Sequence, residues 1–92
     1  MTDIFATTIL ALAQARGRDA SISPTEAARA IAAALMPDGG PDTWHRYLTA
    51  VRRCADMLAQ NGQIEILRKG RPVDPAGVKG VIRLRIAAQA EN

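Results

Sequence analysis

The sequence predicts an α+β fold, mainly helical, in which three helices precede one small antiparallel β-hairpin. Three observations lead there. Apolar residues recur with a helical period in three segments before Gly62, the period changes to two after it, and Gly or Pro punctuates the boundaries. The 92 residues suit one domain, expected to run from 1 to 92. Its core should be thin. Hydrophobic residues make up 48% of the chain, but eighteen of them are Ala, and Ile, Leu, Val and Phe together number twenty. A chain this short buries only about 60% of its unfolded surface.

Helix one is expected over 3–16, with Phe5, Ile9 and Leu12 on one face and Gly17 as its stop. Ala6, Leu10 and Ala13 form a second, weaker apolar stripe. Helix two, over 23–36, opens with Ser23-Pro24-Thr25-Glu26. The Ser23 hydroxyl can accept from the first turn, Glu26 can reach back to the Ser23 amide, and Pro24 sits where a missing N–H costs nothing. Ala27, Ala28, Ile31 and Leu35 are its inward residues, and it ends before Pro37.

Pro37-Asp38-Gly39-Gly40-Pro41 breaks the chain, and Asp42 or Thr43 caps a third helix over 43–61 that stops at Gly62. At 3.6 residues per turn its apolar side carries Trp44, Tyr47, Leu48, Val51, Cys54, Ala55 and Leu58. Arg46, Thr49, Arg53 and Gln60 gather opposite, with His45 and Arg52 at the boundary and Asp56 on the edge of the polar face.

Strands are expected over 63–69 and 80–86. Ile64 and Ile66 face one way, and Ile82, Leu84 and Ile86 alternate against Arg83 and Arg85. Between them, Gly70 to Gly80 holds two prolines and three glycines, which exclude a continuous strand and leave a long-looped hairpin. Residues 87–92 read as a frayed tail. Helix, link, helix, turn, helix and hairpin is the order of a winged helix-turn-helix, with Ser21-Ile22 placed to add a short third strand. In such a fold the third helix lies in a major groove while the hairpin tip touches backbone.

Charge is unevenly placed. Residues 1–45 balance at −2, residues 46–85 at +6, and the whole chain at +3. A basic second half suits a polyanion, most simply nucleic acid, although a solvated basic face that keeps the protein soluble has the same composition. A single cysteine permits no internal disulfide and fits a reducing, cytoplasmic compartment. Met1-Thr2-Asp3 lacks the basic start of a leader, and the longest apolar run, Ala30 to Met36, is too short for a bilayer.

The segment from Asn61 through Gly70-Arg71-Pro72-Val73-Asp74-Pro75 to Lys79-Gly80-Val81-Ile82-Arg83-Leu84-Arg85 resembles a family of short bacterial proteins of unknown function assigned to the winged-helix class. Ser23-Pro24-Thr25-Glu26, Trp44 and Val51-Arg52-Arg53 fit the same pattern, so the likeness covers nearly the whole chain. It implies a winged-helix fold and supplies no substrate, partner or catalytic residue.

Arg46, Thr49, Arg53 and Gln60 are the candidate base-reading face, because Arg pairs with guanine O6 and N7 and Gln with adenine. Arg68, Lys69, Arg71 and Lys79 around the hairpin tip are the candidate phosphate contacts, which need only cations on a reaching arm. Each set has a plainer reading, as a wet helix face and as charged protection of a hairpin edge. Asp74-Pro75 suits a turn. His45 has no second metal-type ligand at helical spacing, Cys54 points inward with no histidine nearby to activate it, and no phosphate-loop or nucleophile-elbow pattern occurs. No enzyme activity, metal, cofactor or effector pocket is expected. The sequence therefore carries two functional expectations, a cytoplasmic duplex-DNA-binding protein and, as its rival, a protein–protein interaction module. A weak homodimer through the Ala6-Leu10-Ala13 stripe accompanies the first.

Overall fold

A computed structural model describes residues 3–75 and 80–88. The elements are α1 (Ile4–Arg16), α2 (Pro24–Leu35), a 3-10 turn (Thr43–Tyr47), α3 (Leu48–Gln60), β1 (Ile64–Arg68), β2 (Arg71–Pro72) and β3 (Arg83–Ile86). The three strands form one antiparallel sheet in the order β2-β1-β3. Ile22 adds a bridge to the far side of β3, exchanging two backbone hydrogen bonds with Leu84 at 2.8 Å each. Three helices with this small sheet make a winged-helix-like α+β arrangement, as the element order predicts.

The helix ends follow local chemistry. Asp3 accepts from the Phe5 amide at 2.9 Å to start α1, and Ser23 accepts from the Glu26 amide at 3.1 Å to start α2. The other half of the expected capping box is absent, because the Glu26 carboxylate is taken by Arg16 at 2.9 Å. Gly17, with φ +75°, ends α1 in a conformation that a side chain would strain.

One core joins all layers. Ile9 and Ala13 of α1 meet Ala27, Ala28 and Ile31 of α2, and Val51, Cys54, Ala55 and Leu58 of α3. Ile22, Ile64, Ile66, Ile82, Leu84 and Ile86 close it from the sheet. The small alanine face of α2 lets its neighbours approach closely, which gives a thin core its density. In the register Ile64 opposes Ile86 and Ile66 opposes Leu84, so both strands turn the same expected residues inward.

Five expectations need correction. Helix three does not run over 43–61: Thr43–Tyr47 is a 3-10 turn that packs on α2, and Asp42 makes no side-chain cap. Leu35 is 47% exposed rather than inward, because the last turn of α2 runs past the core. The Ala6-Leu10-Ala13 stripe is not left wet, since Ala13 is buried and Ala6 and Leu10 pack against the core. Strand 63–69 ends at Arg68, strand 80–86 begins at Arg83, and an extra strand, β2, lies within the expected loop. Arg85 is half-buried, held by Glu65, whereas Arg83 is exposed as expected.

Candidate nucleic-acid interface

The wing begins at a tight turn. Arg68 opposes Arg71 directly across β1 and β2, and Lys69 and Gly70 join them with φ of 53° and 80°. Two successive positive φ values are what a two-residue hairpin of the I′ kind demands, and Asn, Asp or Gly ordinarily fills the first position. A lysine there costs about 1 kcal/mol. Two like charges placed directly across a strand pair destabilise it further. Arg68, Lys69 and Arg71 are exposed, and among the described residues none has a carboxylate within 4.0 Å.

The rest of the sheet is treated in the opposite way. Arg18 and Arg85 converge on Glu65 at 2.6 and 2.7 Å, while Arg16 meets Glu26 at 2.9 Å and Arg83 lies 4.0 Å from it. Burial alone would raise the Glu65 carboxyl, but hydrogen bonds from Arg85 and Arg18, with their charges, outweigh it and hold it below the usual carboxylate range. Arg18 also donates to the Ile86 carbonyl at 2.8 Å, and Arg83 to the Ser21 carbonyl at 2.8 Å. Two carboxylates thus tie four arginines into the scaffold. Arg83 and Arg85, which face away from the core, belong to this partly neutralised face, where four positive charges meet two negative ones.

Alternation along β1 places Arg68 on the same face as Ile64 and Ile66, the face toward α3. The junction with α3 is Gly80. Arg52 donates from Nη2 to the Gly80 carbonyl oxygen at 3.2 Å, and a Cβ at Gly80 would sit 3.5 Å from the Arg68 guanidinium. The two arginines therefore converge on one peptide, and the wing cations continue from the α3 side of the sheet. On α3, Thr49, Arg53 and Gln60 are exposed, Arg53 has no carboxylate partner among the described residues, and Asp56 is half-buried beside them.

Arg46 departs from the set. It lies in the 3-10 turn, out of phase with α3, and its Nη1 is 3.1 Å from Met36 Sδ. The helical projection that groups it with Thr49 and Arg53 presumes a continuous helix. Lys79 lies outside the described residues. The remaining candidates, Thr49, Arg53, Gln60, Arg68, Lys69 and Arg71, are all exposed on α3 and the wing.

Other reactive side chains serve the scaffold. Cys54 is buried; burial first, and the Asp3 charge second, push its thiol up, so it stays protonated at neutral pH. His45 stacks on Trp44 with ring centroids 3.7 Å apart. An open groove of about 290 Å³ lies between Arg29, the end of α2, the Pro37–Pro41 turn and Trp44. Sequence reasoning missed this groove. It forms because the 3-10 turn folds back onto α2, and only the apposition of Arg29 and Trp44 across a turn flanked by prolines hints at it. Among the described residues no helix is long and apolar enough to cross a membrane.

A family model described as "Protein of unknown function (DUF3253)" matches residues 2–87. No curated protein matches the chain.

Proposed function

The chain belongs to the DUF3253 family, and from that premise and its wing geometry we propose that it is a winged-helix protein that binds duplex DNA in the cytoplasm. Arg53, Thr49 and Gln60 on α3 face the major groove, and Arg68, Lys69 and Arg71 grip the phosphates. The observation that carries the reading is the turn Arg68-Lys69-Gly70-Arg71. It concentrates three cations on a strained hairpin with, among the described residues, no carboxylate within 4.0 Å of them, while the carboxylates Glu26 and Glu65 pair with arginines elsewhere. Strain and like-charge repulsion held in a fold are the signature of a surface built for a partner, here a polyanion.

Exposed Leu35 and Met36, with Asp56 beside Arg53, favour the second reading, a protein–protein interaction module on the same fold. The homodimer through α1 loses its motive with the burial of Ala13. Anisotropy of a labelled mixed-sequence duplex separates the two. The DNA reading expects saturable binding, weakened about tenfold or more by Arg71→Glu and little changed by Arg16→Gln, which removes a cation already paired with Glu26. Unchanged anisotropy at low salt contradicts it.

A further inference from the structure

We propose that the groove between α2 and the turn leading into α3 is a binding site for a small aromatic carboxylate. Its walls are Ala32, Ala33 and Met36 on one side and Pro37, Pro41 and Trp44 on the other, with Arg29 at the rim. At about 290 Å³ it stands at the small end of ligand pockets. The proline rings, Ala32 and Ala33 suit a flat apolar body, while the Trp44 ring is already stacked on His45 and lies under the Arg29 guanidinium. None of these walls offers a carboxylate or amide side chain, so a ligand gains its polar contact from Arg29.

Arg29 is poised for that contact. Its guanidinium carbon lies 5.2 Å from the centre of the Trp44 ring, which confines the side chain to the groove rim. Among the described residues it makes no ion pair, although Asp38 and Asp42 belong to the adjoining turn. Arg46 does not line the groove; its Nη1 lies 3.1 Å from Sδ of the wall residue Met36, a weak acceptor. A guanidinium with free donors matches a carboxylate in a paired, planar contact. A phosphate would need further donors that the apolar walls do not supply. The C-terminal end of α2 opposes an anion with roughly half a negative charge, less than the full positive charge of Arg29. Its carbonyls are also partly capped: Ala32 accepts from the Met36 amide at 2.8 Å, and Met36 from the Gly39 amide at 2.9 Å.

The assignment is independent of the DNA reading, because its test contains no DNA. Trp44 is the only tryptophan in the chain, so its fluorescence and its indole N–H resonance both report on this groove. Sodium phenylacetate, phenylacetamide and sodium acetate are titrated separately, each to about 20 mM, ample for a ligand of roughly ten non-hydrogen atoms. Phenylacetate is expected to shift the indole resonance saturably, with phenylacetamide and acetate each at least about tenfold weaker. Arg29→Gln, at an exposed position, should keep the wild-type melting temperature and abolish the preference for acid over amide. Three results each overturn the proposal: no saturable shift with phenylacetate, equal binding of acid and amide, or an unaltered preference in Arg29→Gln.

Discussion

Arg52 on α3 donates to the carbonyl oxygen of Gly80 at the base of the wing, 3.2 Å away. The contact joins the helix that would read bases to the hairpin that would hold phosphates. Because the Arg68 side chain also lies against Gly80, both elements share one anchoring peptide. A rigid spacing between helix and wing is what allows each to meet its own part of a duplex.

Gly80 has φ +90°, where an L side chain is strained, although a Cβ would meet only ordinary contacts with Arg68. Gly80→Ala is therefore expected to cost about 1 kcal/mol from backbone strain. In a domain of this size that lowers the melting temperature by roughly 4–8 °C. An unchanged melt would place the junction in a conformation without strain.

Leu84 is fully buried opposite Ile66, and Arg85 is half-buried against Glu65. Leu84→Ala should lose about 2–5 kcal/mol, enough to threaten folding in so small a core. Arg85→Ala should lose under about 1 kcal/mol, since partly exposed ion pairs contribute little. Urea denaturation of both variants checks the register. Equal losses would contradict it.

The Glu65 carboxyl is held below the ordinary glutamate value of about 4.3. A depressed folded-state value means the stabilisation is present in full above that pH and is lost as pH falls through the folded value. Wild type should thus lose stability on acidification below about pH 4.3, and Glu65→Gln should lose less over the same interval. Chemical denaturation at pH 7, 4 and 3 measures this. Parallel pH profiles for the two proteins would show that Arg18 and Arg85 do not stabilise the charged form.

Much of the fold was legible because it rests on short-range rules. Ser23 before Pro24 starts α2, Gly17 stops α1, and the alternation of Ile82, Leu84 and Ile86 turns them inward. The misses come from tertiary contacts. Thr43–Tyr47 has helical periodicity in sequence, yet the segment winds as a 3-10 turn packed on α2, where the Thr43 hydroxyl donates to the Gly39 carbonyl. The turn at Lys69-Gly70 escapes because lysine does not announce a positive φ. Which arginines are paired cannot be read from the chain either. Arg18 reaches Glu65 across 47 positions, a contact that exists only once α1 and the sheet are packed together.

Salt dependence of duplex binding tests the central claim most directly. If three or four of the candidate phosphate contacts Arg68, Lys69, Arg71 and Lys79 neutralise phosphates, the log–log plot of affinity against salt should fall with a slope of roughly −2.7 to −3.6, at about −0.9 per neutralised phosphate. Arg71→Gln should flatten that slope by about 0.9 for every duplex sequence, whereas Arg83→Gln, at a cation bound to Ser21, should leave it in place. A wild-type slope near zero, or an equal flattening in both variants, would contradict the assignment of the wing as a phosphate-binding surface.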